Sequence, residues 1–227
     1  MATYVLIHGA GSDSWYWHLV VPDLRDRGHD VVAVDLPFTD DSAGLAEYTD
    51  VVVDAIGDRA DLILVAQSMG GFTAPLVCDR KPVDMIVLLN AMIAAPGESP
   101  GEWWTNTGHE EAKRALDEAE GRSTDGDFDP LTIFLHDVPK ELWAESEKHS
   151  GPQSGTPFAK PWPLDAWPSI PTKVLIGRDD RFFPAEFQRR VAKERLGIAA
   201  DEMPGGHLVA LSRPKELAER LEKFRSA

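Results

Sequence analysis

The stretch Asp61-Leu62-Ile63-Leu64-Val65-Ala66-Gln67-Ser68-Met69-Gly70-Gly71 runs from a short apolar segment straight into a turn of small residues around a serine. The apolar segment has the length and composition of a buried strand. Small-x-Ser-x-Gly at its end predicts a strand-to-helix turn so tight that the serine sits in strained backbone geometry. Only small residues fit two positions on either side, and Ala66 and Gly70 meet that demand. The strain lifts the Ser68 hydroxyl above the sheet, while the N–H groups opening the next helix face any negative charge formed there. An ordinary turn with a capping serine is the plainer reading, and the rest of the chain separates the two.

Two further segments favour the chemical reading. Tyr4-Val5-Leu6-Ile7 leads into His8-Gly9-Ala10-Gly11, a Gly-rich turn in which backbone N–H groups can approach a bound molecule closely. The Ala10 and Met69 N–H groups together are candidate donors to a developing oxyanion. Towards the C-terminus, Lys173-Val174-Leu175-Ile176 leads to Gly177-Arg178-Asp179-Asp180, and Pro204-Gly205-Gly206-His207 precedes a final helix. Serine, then an acid (Asp179 or Asp180), then histidine is a triad order suited to nucleophilic catalysis. Each segment falls at the C-terminal end of an expected parallel strand, the edge where open α/β sheets carry their sites.

These motifs resemble the α/β-hydrolase family. They are most similar to its subgroup of plant methylesterases, hydroxynitrile lyases and small bacterial esterases. Pro184-Ala185-Glu186-Phe187-Gln188 and Gly205-Gly206-His207-Leu208-Val209-Ala210-Leu211-Ser212-Arg213-Pro214 carry the subgroup resemblance. It implies Ser68 as nucleophile, Asp180 as the acid, His207 as the base, and Ala10 and Met69 as oxyanion donors, with no cofactor and no metal. The family spacing of the acid, three residues after the strand-ending glycine and four before the proline, selects Asp180 and leaves Asp179 as a turn or cap residue. Two positions depart from the pattern: Ala66 replaces the usual glycine, and Gln67 stands where histidine is common. Lyase relatives carry threonine at the position of Gly9 and lysine at that of Leu208, and both are missing here. The implied activity is a serine hydrolase that cleaves a small neutral carboxylic ester or lactone through an acyl-enzyme. The Ser-Met-Gly-Gly elbow also resembles cofactor-free perhydrolases and haloperoxidases, and a non-catalytic ligand-binding relative is a third reading.

Composition narrows the setting. A chain of 227 residues with 43% hydrophobic content can bury one large core. A net charge of −15 argues against nucleic acid or an anionic membrane as partner, because phosphate contacts need clustered Lys and Arg. No apolar run is long enough to cross a bilayer, and residues 1–10 read as a core strand and not as a leader. The single cysteine, Cys78, suits a reducing cytoplasm and reads as a small packing residue. A monomer or homodimer acting on a small-molecule ester is the expectation.

Read coarsely, strands and helices alternate, which calls for a mostly parallel six-stranded sheet with helices on both faces. Strands are expected near 3–8, 30–35, 61–66, 84–90, 172–177 and 200–203, with helices near 15–27, 44–58, 70–79, 185–196 and 209–225. The two strands that usually open the family sheet are missing. Residues 1–94 and 168–227 form the expected core, and 95–167 an inserted helical lid over Ser68. Between Glu98 and Ser150 the insert carries 14 acidic and 5 basic side chains, punctuated by Trp103, Trp104, Phe128, Phe134 and Trp143. Helices are expected over 110–120 and 140–149, with most of the aromatics forming a small core of their own. Trp15, Trp17, Trp103, Trp104 and Trp143 suggest an apolar, closed pocket. His109, His136 and His149 lack metal-ligand spacing and read as packing or surface residues, the His8 ring as a backbone tie, and Asp40-Asp41 as a solvated pair.

Overall fold

The computed structural model describes residues 1–124 and 128–226, so Asp125 and Asp127 of the acidic insert lie outside the described residues. Six strands form one sheet: Thr3–Ile7 (β1), Asp30–Val34 (β2), Leu62–Gln67 (β3), Val83–Leu89 (β4), Thr172–Gly177 (β5) and Asp201–Met203 (β6). Their order is β2-β1-β3-β4-β5-β6, with every neighbouring pair parallel. β1 and β3 are buried along their whole length, which accounts for their unbroken apolar sequence. The chain leaves β1 towards β2 and returns on the other side to β3. The crevice at the C-terminal ends of β1 and β3 is therefore the topological switch point of the sheet.

Successive side chains on a strand point to opposite faces, so each strand feeds two cores. Tyr4 and Leu6 pack with Val20 and Leu24 of Val20–Asp26 (α1) and with Leu217 and Leu221 near the C-terminus. Val5 and Ile7 share the opposite core with Tyr48 and Val52 of Leu45–Ile56 (α2), Phe72 of Gly70–Val77 (α3), and Phe187 and Val191 of Ala185–Leu196 (α8 in chain order). Cys78, at the end of α3, is half-buried against this face, and burial pushes its thiol up to about 12. It is a packing residue.

Two expected helices are broken by prolines. Within 15–27, Ser14–Trp17 is a short 3-10 turn and α1 starts only at Val20, because Pro22 is accommodated in a first turn but not in a helix interior. Within 209–225, Val209–Ser212 (α9) stops before Pro214–Arg225 (α10), and Arg213, which precedes the proline, leaves helical geometry at φ −138°.

The insert between β4 and β5 holds Pro100–Thr107 (α4), His109–Ala119 (α5), Pro130–Ile133 (α6) and Trp143–Lys148 (α7). The helices expected over 110–120 and 140–149 correspond to α5 and to a 3-10 turn, Lys140–Leu142, followed by α7. α4 was not expected, although its signals are in the sequence. The Ser99 hydroxyl accepts from the Glu102 N–H at 3.2 Å, the Ser99 N–H donates to the Glu102 carboxylate at 2.9 Å, and Pro100 opens the helix. The aromatics do not form a separate core as expected. Trp103 is fully buried in the main core against Phe183 and Phe187, with its indole N–H donating to the Ile93 carbonyl at 3.0 Å.

Candidate active site

Ser68 sits at the C-terminal tip of β3 with φ +51°, a left-handed value rare for a non-glycine residue and the strain that the motif predicts. The turn is tied to the end of β4: the Ser68 N–H donates to the Leu89 carbonyl (3.2 Å), and the Ser68 carbonyl accepts from Met92 (2.9 Å) and Gly71 (3.1 Å). α3 lies so close to this turn that a Cβ on Gly71 would fall 2.0 Å from the Met92 carbonyl oxygen. This close approach explains the second glycine of the motif. The Ser68 hydroxyl has no hydrogen bond to a described residue and faces a cavity that it shares with Ala10, Met69 and His207.

His207 and Asp180 meet deep in the protein, 3% and 1% exposed. The His207 Nδ1 and the Asp180 Oδ2 are 2.8 Å apart. Asp180 ends the turn after β5, and its Oδ1 accepts from the Phe182 (2.8 Å) and Phe183 (2.9 Å) N–H groups. The Gln188 amide donates to Oδ2 at 3.3 Å. The carboxylate is thus fully hydrogen-bonded and presents one oxygen to the imidazole. Asp179 turns the other way and accepts from the Gly205 N–H at 2.9 Å, holding the histidine loop but not the ring. Phe134, Phe182 and Phe183 surround the His207 ring with centroids 5.0–5.4 Å away.

The histidine loop has further anchors that the motifs did not reveal. Asn90, the first residue past β4, is buried at φ +44°. Its amide donates to the carbonyls of Gly206 (3.0 Å) and His207 (3.1 Å), and its side-chain oxygen accepts from the Gly177 N–H (2.7 Å). The Asp137 carboxylate, from the insert, accepts from the Gly206 N–H at 2.8 Å. An asparagine closing a buried strand on the functional edge was the available signal. Nothing in sequence spacing points to Asp137.

On the other side of Ser68, the expected role of His8 holds. Burial pushes this histidine below its ordinary value, and the neutral ring donates from Nδ1 to the Gly9 carbonyl (2.8 Å) while Nε2 accepts from the Leu36 N–H (3.0 Å). The loop after β1 is also clasped by the insert. Gln153 accepts from the Gly11 N–H (3.1 Å) and donates to the Tyr48 hydroxyl (2.9 Å), and the Gly151 N–H donates to the Gly11 carbonyl (3.1 Å). His149 pairs with Asp13 at 2.8 Å and stacks on Trp15. His109 is buried and bonds the Phe182 carbonyl, His136 is half-buried, and Asp40 and Asp41 are exposed, with Asp41 accepting from Ser154.

The cavity over Ser68 has a volume of about 920 Å³. Its walls are mainly apolar, including Trp104, Phe134, Trp143 and Phe182. Of the five tryptophans expected there, Trp15, Trp104 and Trp143 line it, whereas Trp17 and Trp103 belong to the cores. Among the described residues, no group of three or more His, Cys, Asp or Glu side chains is arranged to hold a metal, and no helix is long and apolar enough to cross a membrane.

Residues 4–220 match the alpha/beta hydrolase family, and the chain belongs to it. A pyrethroid hydrolase of Sphingobium wenxiniae is 32% identical over 98% of this chain and 87% of its own length. Methylesterase 9 of Arabidopsis thaliana is 25% identical over 99% of this chain and 98% of its own. Among solved structures, a pyrethroid hydrolase of Sphingobium faniae superposes with a TM-score of 0.77 at 26% identity, covering 100% of this chain and 98% of that one.

Proposed function

We propose that this ester hydrolase cleaves a neutral carboxylic ester or lactone through a Ser68–His207–Asp180 triad and an acyl-enzyme. The observation that carries the reading is the buried 2.8 Å contact between Asp180 and His207, the latter lining the same cavity as a strained, unpaired Ser68 hydroxyl. His207 takes the Ser68 proton as Oγ attacks the acyl carbon, and Asp180 orients the ring and balances the charge it acquires. The tetrahedral oxyanion lies against the Ala10 and Met69 N–H groups, and removing one such donor costs roughly 3–4 kcal/mol. The alcohol leaves with the proton from His207, and water then returns the acid and the free serine. The insert acts as the lid, closing over Ser68 and clasping the oxyanion loop through Gln153 and Gly151.

The cavity refines the expected size of the substrate. Pockets for drug-sized ligands span roughly 300–1,000 Å³, so this one admits a bulkier apolar ester than the motifs alone suggested. The similarity to pyrethroid hydrolases points the same way, towards an ester with substantial apolar groups. A lysine to hold cyanide is missing, since Leu208 lines the cavity at that position, and a side chain on Gly9 would overlap Gln67 and Ser68. Both observations weigh against the lyase reading. The single cysteine accords with a reducing compartment such as the cytoplasm.

A fluorophosphonate probe tests the assignment. The wild type is expected to label at Ser68, and Ser68→Ala to lose labelling together with roughly 10⁴–10⁶-fold of its esterase activity. Undiminished labelling or turnover in Ser68→Ala overturns it.

A further inference from the structure

Gln67 immediately precedes Ser68, and the triad makes no use of it. It separates the last apolar residues of β3 from Ser68 and is only 3% exposed, yet it lines the cavity. Its Nε2 reaches the His207 carbonyl at 3.4 Å. A carbonyl can only accept, so the amide must turn its nitrogen to that side and its oxygen to the other. The oxygen sits beside the nucleophile: a Cβ on Gly9 would lie 2.4 Å from Gln67 Oε1, 2.7 Å from Ser68 Cβ and 3.3 Å from Ser68 Oγ. Among the described residues, no N–H or O–H donates to Oε1. Oε1 is not one of the fully buried polar atoms left without a partner, so it is an acceptor open to the cavity beside the nucleophile, where a donor on a bound molecule can reach it.

We propose that Gln67 Oε1 is a substrate-binding acceptor that selects esters bearing a hydroxyl or amide N–H on the carbon next to the scissile carbonyl. The inference rests on Ser68 being the attacking group. With the acyl carbon against Ser68 Oγ, a donor one carbon away comes within reach of Oε1, since both oxygens crowd the same point beside Gly9. Gly9 keeps that space open. A site built to hydrogen-bond a substrate group discriminates strongly against the analogue that lacks it, because the protein acceptor is then stranded.

The test compares methyl mandelate, each enantiomer separately, with methyl phenylacetate, which differs only by the hydroxyl. The ratio of kcat/KM for the two esters is measured in the wild type, Gln67→Met and Gln67→Asn, and referred to the same ratio for hydroxide-catalysed hydrolysis, which removes the electronic effect of the hydroxyl. The wild type is expected to favour one mandelate enantiomer by roughly tenfold or more beyond the hydroxide ratio. Gln67→Met, which has no acceptor amide, and Gln67→Asn, which is too short to reach, are expected to fall to within about twofold of it. A wild-type ratio at the hydroxide value, or variants that keep the wild-type preference, overturns the proposal; a water satisfying Oε1 gives this result. Ser68→Ala separates the two levels: if it is inactive while the ratios do not move, the nucleophile stands and only the role of Gln67 falls.

Discussion

At the scale of the residue, a few buried polar side chains convert a sheet edge into a defined geometry. Asn90 is the clearest case. One amide joins the end of β5 to the loop carrying His207, and it does so from a left-handed backbone conformation that asparagine tolerates better than most residues. Asn90→Ala removes the side-chain partner of the Gly206 carbonyl and of the Gly177 N–H, leaves the His207 carbonyl with only the 3.4 Å bond from Gln67, and puts a Cβ residue without local hydrogen bonding at φ +44°. The expected loss is about 3 kcal/mol or more of stability, with at least a tenfold fall in kcat/KM from a displaced His207. Urea titration and ester kinetics on the same preparation check both. An unchanged kcat/KM in a folded Asn90→Ala protein removes Asn90 from the positioning of the histidine. Asp179 and Asp180 illustrate the same scale: adjacent carboxylates, one bonded to the loop backbone and one to the ring, have separate tasks set by which N–H groups each turn presents.

At the scale of the element, helices and loops are tied to the sheet at both of its ends. On the functional edge, residues 149–154 of the insert bond the loops after β1 and β2, so the loop carrying the Ala10 N–H is held partly by the insert. At the opposite edge, Glu222 of α10 accepts from the Tyr4 hydroxyl (2.7 Å), meets His29 (2.9 Å) and pairs with Arg225 (3.1 Å). Partial burial opposes ionisation of Glu222, but these bonds outweigh it and hold the carboxyl at about 2. A carboxyl depressed in the folded state stabilises the protein above its ordinary value of 4.5, and that contribution is lost as the pH falls towards 2. Glu222→Gln is therefore expected to cost roughly 1–2 kcal/mol near pH 7. The difference from wild type should shrink steadily below about pH 4.5. Denaturant titrations across that range measure it, and a pH-independent difference contradicts the ionic origin.

At the scale of the whole molecule, the charge of −15 and the largely apolar cavity act on different properties of the substrate. The acidic surface disfavours anionic esters at low salt, an effect screened within about 10 Å at 0.1 M ionic strength. The cavity sets length. Phe128 and Leu131 of the insert are exposed, and Leu131 with Phe134 carries apolar surface into the cavity. A series of p-nitrophenyl esters is expected to peak between butyrate and octanoate and to fall at palmitate, without interfacial activation on emulsions. A maximum at acetate shows that much of the cavity goes unused, and one at palmitate shows a lipase-like site.

The chain by itself determined the positions of the strands, the strained serine turn and the two loops that follow β1 and β5, because each depends on local rules. Apolar runs of strand length alternate with helical ones, and small residues stand where the backbone has no room for a Cβ. Proline breaks at Pro22 and Pro214 obey equally local rules, yet the surrounding apolar pattern concealed them. The functional edge was legible for the same reason, since parallel topology brings the ends of β1, β3 and β5 together however far apart they are in sequence. Only the tertiary structure decided which acid faces His207, that Asn90 and Asp137 hold its loop, that Trp103 packs in the core while Trp104 lines the cavity, and that Gln67 turns an oxygen towards Ser68. These are choices between chemically equivalent neighbours. They depend on directions across 27 to 140 residues of chain, which no local propensity encodes.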